Sequence, residues 1–179
     1  MSIQDDVIYD WNVEGSTVSP PMGAVEYLDE TLRDGIQCPS VTDPPIEAKL
    51  EIVRLLDSVG VHHLDIGLPG AGPRAVADCV VIAELIRDEG LSIRPACAGR
   101  THPNDIKAII EVSQTTGVEI EALAFLGTSP IRLYTEGWDE DLLEKRTRTA
   151  IRMCKEANLP VTFVTEDTVR SHPQTLRRL

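Results

Sequence analysis

The sequence predicts an α/β fold, because short strand-like runs alternate in strict order with longer segments of helical periodicity. The strand-like runs are apolar on both faces, as where Ile120, Ala122 and Ala124 alternate with Leu123 and Phe125. Strands that are apolar on both faces are typical of a parallel sheet covered by helices. Both observations indicate a layered arrangement of alternating strands and helices.

A polar stretch precedes the first strand. Residues 1–24 finish soon after Pro20-Pro21, so we predict an N-terminal extension over 1–24 and a folded domain over 25–179. Strands are predicted over 25–29, 62–67, 92–98, 119–126 and 160–165. Helices are predicted over 45–59, 73–89, 103–116 and 139–157, and a last helix is predicted to begin near His172.

Apolar residues at helical spacing support the first and fourth helices. In the first helix this stripe contains Ile46, Leu50 and Val53, and Gly60 provides a stop. One face of the fourth helix carries Leu143, Thr147, Ala150, Ile151 and Cys154. The pattern does not distinguish an open, doubly wound sheet from a closed barrel. A Gly-x-Gly-x-x-Gly turn would favour the open sheet with a bound dinucleotide, and the sequence contains none.

Composition excludes several classes of function. The chain has 179 residues, 42% hydrophobic, and a net charge of −12 without a basic stripe, which argues against nucleic-acid binding. No apolar segment approaches the roughly 20 residues of a membrane span, and the N-terminus lacks a signal-peptide pattern. The four cysteines are widely spaced. We therefore expect reduced thiols in a cytoplasmic protein, with Cys79, Cys97 and Cys154 filling apolar positions.

The most informative segment is Asp-Glu-Thr-Leu-Arg-Asp-Gly-Ile-Gln over 29–37. It places Arg33 beside Asp34 where the first strand ends, and Gly35 permits a sharp turn there. A guanidinium beside a hard oxygen ligand suits a site where a divalent cation and an arginine hold a 2-oxo acid or an enolate. On spacing alone, a surface turn with an Arg–Asp pair explains the segment equally well.

This segment resembles the opening motif of the DRE-TIM metal-dependent family, which includes 2-isopropylmalate synthase, homocitrate synthase, citramalate synthase and hydroxymethylglutaryl-CoA lyase. Four further segments resemble the family in the same order: Leu64-Asp65-Ile66-Gly67-Leu68-Pro69, Ala98-Gly99-Arg100, Gly127-Thr128-Ser129-Pro130 and Thr165-Glu166-Asp167-Thr168. The resemblance implies a (β/α)8 TIM barrel. Because such barrels take about 250 residues, we expect only about five βα units here.

The resemblance also implies roles for individual residues, all near the C-terminal ends of predicted strands. Asp34 would bind the metal, Arg33 would stabilise the oxygen of the 2-oxo acid, and Gln37 would hydrogen-bond substrate. Asp65 would bind substrate, at a position where the family often has the longer carboxylate side chain of glutamate. The alternative roles are a turn-forming Asp34, a solvated Gln37, and an Asp65 satisfied inside the barrel.

Four more residues complete the predicted site. Arg100 would contact a substrate carboxylate, with a structural ion pair as the alternative. Thr128 and Ser129 would hold a carboxylate through their hydroxyls, although Ser129-Pro130 is also an ordinary helix-start signal. Glu166 would hold the Arg33 guanidinium or assist proton transfer from an acetyl methyl group. For the loop residues Arg132, Tyr134 and Trp138, a structural role is favoured over substrate contact.

The family's remaining metal ligands form a His-x-His pair, and this sequence has none. His62 and His63 are adjacent, so a strand would direct them to opposite faces. The resemblance therefore implies that this chain supplies one of the family's three protein ligands for a divalent metal. Mg²⁺ or Mn²⁺ is favoured over Zn²⁺.

The implied activity is a Claisen condensation in amino-acid biosynthesis, in which acetyl-CoA adds to a 2-oxo acid. Isopropylmalate and homocitrate synthases are the nearest members, and a hydroxymethylglutaryl-CoA lyase-like reaction is the alternative within the family. An alternative from a different functional class is a non-catalytic half-barrel, or a fragment that needs a partner. Expected partners are the two small-molecule substrates and either a second copy or a chain that supplies the missing barrel units.

Overall fold

A computed structural model describes residues 23–179. The predicted extension over 1–24 therefore lies outside the described residues, apart from its last two positions. The division of the chain into an extension over 1–24 and a domain over 25–179 stays a prediction.

The described strands form one parallel sheet in the order β1-β2-β3-β4-β5, which is also their order along the chain. Five strands curl into a half-barrel with helices between them, so the predicted α/β class and partial (β/α) barrel are confirmed. The strands are β1 (Leu28–Asp29), β2 (His63–Asp65), β3 (Arg94–Arg100), β4 (Glu121–Gly127) and β5 (Val161–Glu166).

The helices lie close to their predicted limits, and the structure contains one further helix. They are α1 (Ile46–Ser58), α2 (Pro73–Glu89), α3 (Pro103–Thr116), α4 (Pro130–Glu136), α5 (Glu140–Glu156) and α6 (Pro173–Arg178). The sequence predicts a loop around Arg132 and Tyr134, and the structure has α4 there instead. Ser129 caps this helix by accepting a hydrogen bond from the Arg132 backbone N–H, and Pro130 occupies its first turn. No described helix is both long and apolar enough to cross a membrane.

The main core lies between the sheet and its helices. Alternate strand residues face this layer, including Leu64, Cys97, Ala122 and Ala124. Gly99 lets α3 approach the sheet, because a Cβ at Gly99 would lie 2.8 Å from the Ile109 Cδ1 atom. Burial of Cys79, Cys97 and Cys154 confirms that these thiols fill apolar positions, whereas Cys38 is exposed.

The other face of the sheet is concave and carries the candidate site residues. Strand register places Asp65 beside Ala96, and Arg100 beside Phe125. Phe125 is beside Val164 in turn, and Gly127 is beside Glu166. The face that a closed barrel would turn inward is therefore polar at its C-terminal end.

Predicted strand limits fail mainly at β1 and β2, which are shorter than expected. The Tyr27 carbonyl accepts the N–H groups of both His62 and His63, so the ladder begins irregularly. Within the described part of the chain, β1 pairs only with β2 and β5 only with β4. Val25 and Tyr27, which precede β1, are exposed. The shortening is therefore confined to the N-terminal side of the sheet, since β5 extends over Val161–Glu166 although it too pairs on one side only.

Candidate functional site

The C-terminal ends of the parallel strands, with the turns that follow them, form one edge of the sheet that we call the rim. The sequence-predicted site residues lie along it. The π-helical turn Thr31–Gly35 follows β1 and contains Arg33 and Asp34. The remaining rim residues end or directly follow the other strands: Asp65, Arg100, Thr128, Ser129 and Glu166. Since parallel strands end at one edge of a sheet, the fold brings separated motifs to a common surface.

Local contacts shape the Thr31–Gly35 turn. The Asp29 carboxylate accepts hydrogen bonds from the Thr31 N–H at 2.9 Å and the Thr31 hydroxyl at 3.1 Å. Leu32 is buried and anchors the turn to the core. Gly35 donates its N–H to the Glu30 carbonyl at 3.0 Å, which closes the wide turn. The side chain of Arg33, which follows Leu32, is mostly buried.

Arg33 reaches from the turn after β1 to the concave face of β4. Its guanidinium pairs with the Asp34 carboxylate and lies over the Phe125 ring, 5.1 Å from the centroid. A cation over an aromatic face is attracted by the ring quadrupole. The Arg33 Nε is buried and has no acceptor among the described residues. The guanidinium is thus held in place with part of its donor capacity unused.

Glu30 is a candidate site residue that the sequence motifs did not single out. Its Oε2 atom is buried and has no hydrogen-bond donor within residues 23–179. Burial, followed by the charge of Asp34, raises the pKa of the Glu30 carboxyl. Its only sequence signal was its position inside the 29–37 motif.

The described residues do not complete a metal centre. Among residues 23–179, no group of three or more His, Cys, Asp or Glu side chains has the arrangement to hold a metal ion. Asp34 is 61% exposed and offers one carboxylate. A hard divalent cation takes about six oxygen ligands, so the Asp34 carboxylate could not hold one by itself.

Asp65 is satisfied by backbone groups. Its Oδ1 atom accepts hydrogen bonds from the Gly67 N–H at 3.0 Å and the Ala98 N–H at 3.3 Å. Burial raises the pKa of the Asp65 carboxyl to about 7, although both hydrogen bonds lower it. The carboxyl can therefore exchange a proton near neutral pH.

Gln37 is exposed and lines a cavity of about 350 Å³ beside Arg33. The wall of this cavity contains Lys49, a buried cation that bridges Asp43 and Asp78 at 2.7 Å each. Because Asp43 belongs to the loop that carries Gln37, this ion pair fixes the loop between the motif and α1.

Arg100 forms a bidentate ion pair with Asp105 in the first turn of α3. The Arg100 Nε and Nη2 atoms donate to the two Asp105 oxygens at 2.7 and 2.9 Å. This ion pair raises the pKa of the Arg100 guanidinium. The Arg100 side chain remains 62% exposed towards a cleft of about 500 Å³.

Thr128 and Ser129 are buried and hydrogen-bonded within the protein. The Thr128 hydroxyl lies 2.6 Å from the Ser171 hydroxyl. Ser129 donates to the Asp167 carboxylate at 3.2 Å. Asp167 adopts a left-handed backbone conformation with φ 56°, which aspartate tolerates better than most residues. Both hydroxyls thereby join the end of β4 to the segment after β5.

Glu166 approaches Arg132 rather than Arg33. The Arg132 Nη2 and Glu166 Oε2 atoms are 3.8 Å apart, and Arg132 also lies over the Trp138 ring. Arg132 and Trp138 line the same 500 Å³ cleft as Arg100 and Glu166. The sequence favours a structural role for Arg132 and Trp138 and does not predict this placement, which follows from the formation of α4.

The comparisons assign the chain to a family. The sequence profile described as HMGL-like matches residues 24–179, and the chain belongs to this family. Homocitrate synthase from Pyrococcus abyssi is 35% identical over 153 residues, which cover 84% of this chain and 39% of that protein. The cytosolic homocitrate synthase isozyme of Saccharomyces cerevisiae is 31% identical over 147 residues, covering 82% of this chain and 32% of the yeast protein.

A 2-isopropylmalate synthase from Halothermothrix orenii is 31% identical over 159 residues, which cover 88% of this chain and 30% of that protein. The chain therefore spans about a third of the length of the curated relatives it matches. Membership of the family predicted from the five motifs is confirmed.

Proposed function

We propose that this chain provides the N-terminal units of an acyltransferase barrel that condenses acetyl-CoA with a 2-oxo acid. The observation that carries the proposal is the Arg33 guanidinium, held against Phe125 at the rim with a buried, unpaired Nε. A positioned donor with unused capacity suits an oxygen that gains negative charge during reaction. The homocitrate and 2-isopropylmalate synthases named above support this class.

In this proposal, each rim residue acts on a different part of the reactants. Arg33 donates hydrogen bonds to the ketone oxygen of the 2-oxo acid, and Gln37 donates to its carboxylate. Arg100 binds a substrate carboxylate through the guanidinium edge that faces the cleft. Thr128 and Ser129 act through the contacts that fix the end of β4, unless substrate displaces those contacts.

Glu166 is proposed to assist removal of a methyl proton from acetyl-CoA, with Arg132 orienting the carboxylate. The resulting enolate adds to the ketone carbon, and water then cleaves the thioester. The products are free CoA and a 2-hydroxy acid with one more carboxylate than the 2-oxo acid. We propose a cytoplasmic enzyme of amino-acid biosynthesis.

A divalent cation belongs to the same proposal, with Mg²⁺ or Mn²⁺ favoured because Asp34 offers a hard oxygen ligand. Residues outside the described set would supply the other ligands. Asp65 hydrogen-bonds backbone groups, so we place it in support of the rim rather than on the cation.

Complementation tests this function. The 179-residue chain would be mixed or co-expressed with a polypeptide that contains the part of the Pyrococcus abyssi homocitrate synthase outside the matched region. We expect acetyl-CoA-dependent release of CoA thiol with 2-oxoglutarate or 2-oxoisovalerate and Mg²⁺ or Mn²⁺, and no release by the chain alone. Turnover by the chain alone that Asp34→Ala abolishes would contradict the need for added strands.

The alternative reaction is carbon–carbon cleavage, which the HMGL-like family description favours. It uses the same kind of bond chemistry in reverse. The same preparation, given hydroxymethylglutaryl-CoA, would then release acetyl-CoA and acetoacetate. Release from this thioester without condensation activity would replace the synthase proposal with the lyase.

A non-catalytic half-barrel is the alternative from a different class, and the edges of the sheet favour it. Val164 on β5 is 37% exposed, and Leu28 on β1 is 45% exposed. Exposed apolar strand edges pair readily with other chains. We therefore expect the purified chain to self-associate or to bind a polypeptide that supplies further strands. Sedimentation velocity measures this, and a compact monomer that unfolds cooperatively would contradict it.

A further inference from the structure

We propose that Asp105 is a positioning residue that sets the Arg100 guanidinium for an anion, and that Gly70 is required for this arrangement. The proposal deepens the proposed function, since it rests on Arg100 binding a substrate carboxylate. Three separate elements meet at this point: the end of β3, the first turn of α3, and the 3-10 turn Pro69–Ala71 that follows β2.

Asp105 has an environment that fixes its carboxylate. Its side chain is only 3% exposed, yet its partner Arg100 is 62% exposed. Besides the two guanidinium contacts, the Asp105 Oδ2 atom accepts the Arg100 backbone N–H at 3.2 Å. Both the main chain and the side chain of Arg100 are therefore tied to one buried carboxylate.

Gly70 packs directly against that carboxylate. A Cβ at position 70 would lie 2.6 Å from the Asp105 Cγ atom, 2.8 Å from Oδ2 and 2.9 Å from Oδ1. Real Cβ atoms do not approach other atoms so closely, so any larger residue must displace Asp105 or the turn. The absence of a side chain at Gly70 thus determines where the carboxylate lies.

The remaining donors of Arg100 identify the ligand class. A guanidinium has five N–H groups in a plane. Asp105 takes the Nε–H and one Nη2–H, which leaves three N–H groups, two of them side by side on the Nη1/Nη2 edge of the plane. That edge can accept a second carboxylate in a bidentate manner. Because Arg100 lines the 500 Å³ cleft together with Phe125 and Glu166, a carboxylate bound there would face the rim.

Positioning and simple charge give opposite expectations for Asp105→Asn. If Asp105 acted only through its charge, its removal would make the cleft more positive and strengthen anion binding. If Asp105 positions Arg100, the asparagine amide faces the guanidinium with N–H groups of its own, and anion binding weakens. Gly70→Ala alters position without altering charge, so only the positioning role predicts weaker binding for it.

The experiment measures binding of 2-oxoglutarate to the full 179-residue chain. Trp138 lines the same cleft, and in a Trp11→Phe background it is the sole tryptophan, so its fluorescence reports on the cleft. We expect Arg100→Ala, Asp105→Asn and Gly70→Ala each to weaken binding about tenfold, as for loss of a hydrogen bond to a charged group. The matched control is Asp88→Asn, which removes the same charge beside exposed Arg87 on α2 and should leave binding unchanged.

A double-mutant cycle separates positioning from general damage to the fold. In an Arg100→Ala background, Asp105→Asn and Gly70→Ala should cause no further loss, because both act through Arg100. Stronger binding by Asp105→Asn, or unchanged binding by Gly70→Ala, would overturn the positioning role while leaving Arg100 as the ligand. Unchanged binding by Arg100→Ala, or no saturable binding by either the chain alone or the complemented preparation, would instead overturn the substrate role of Arg100 and this inference with it.

Discussion

The two halves of the rim differ in how completely their polar groups are paired. At the ends of β3 to β5, Arg100 pairs with Asp105, Arg132 approaches Glu166, and Thr128 contacts Ser171. After β1, the Glu30 Oε2 and Arg33 Nε atoms are buried without partners in the described part of the chain. One half is pre-organised by internal contacts, whereas the other retains unused hydrogen-bonding capacity.

This difference has an energetic meaning. A buried polar atom without a partner costs roughly 1–3 kcal/mol, whereas a satisfied one contributes modestly to stability. Proteins tolerate unpaired buried groups mainly where a ligand completes them. We therefore expect a ligand to complete the unpaired polar groups after β1, and the internal contacts at the ends of β3 to β5 to hold side chains such as Arg100 ready for one.

The largest expected effect is on activity. In the complemented enzyme, Arg33→Ala should lower kcat about 10²- to 10³-fold, the usual result of removing one donor from a developing oxyanion. Lys107→Ala, on the exposed side of α3, is the control and should leave kcat unchanged. If Arg33→Ala retained parental kcat, the half of the rim after β1 would not be the reacting half.

An intermediate effect is expected for Asp65 as pH changes. Its pKa of about 7 in the folded chain exceeds the ordinary 3.8, so the folded state binds more protons between about pH 4 and 7. The contribution of Asp65 to stability therefore falls as pH rises through that window. The change in the free energy of unfolding caused by Asp65→Asn should therefore be about 4 kcal/mol more favourable at pH 8 than at pH 4.

Denaturant titrations at several pH values measure the free energy of unfolding of the Asp65→Asn variant. Asp57→Asn is the control, because its effect on that free energy should change with pH in the opposite direction. Hydrogen bonds from Ser92 and Ile93 lower the pKa of the Asp57 carboxyl. Its contribution to stability is present above the unfolded pKa and is lost as pH falls. Asp57→Asn should therefore destabilise the chain at pH 7 and have less effect in acid. Parallel pH profiles for the two variants would show that burial does not control Asp65.

The smallest effects compare the two halves of the rim directly. Thr128→Val keeps the shape but loses the contacts with Ser171 and the Glu166 carbonyl, so it should cost about 1 kcal/mol. Glu30→Gln replaces a partly buried, unpaired carboxylate by a neutral amide of the same shape and should raise stability by about 1 kcal/mol. Thermal unfolding of both variants at pH 7 provides the measurement. Equal destabilisation by the two would remove the distinction between paired and unpaired halves.

The sequence by itself determined the order of strands and helices. Apolar periodicity is local information, and α2 and α3 have the predicted limits because proline begins each and glycine ends each. The motifs also located Arg33, Arg100 and Glu166 at strand ends. The partial barrel required the family resemblance, because an open sheet and a barrel have the same local pattern.

Only the tertiary structure decided which partners these residues have. Arg33 meets Phe125, which lies more than 90 positions away along the chain, because strand curvature brings β1 and β4 to one concave face. Asp105 meets Gly70 because a side chain is absent there, and no periodicity encodes such a contact. Pairing of polar groups depends on distances between elements, whereas the elements themselves depend on neighbouring residues. The sequence therefore determined what each segment is, and packing determined which charges are satisfied and which remain available to a ligand.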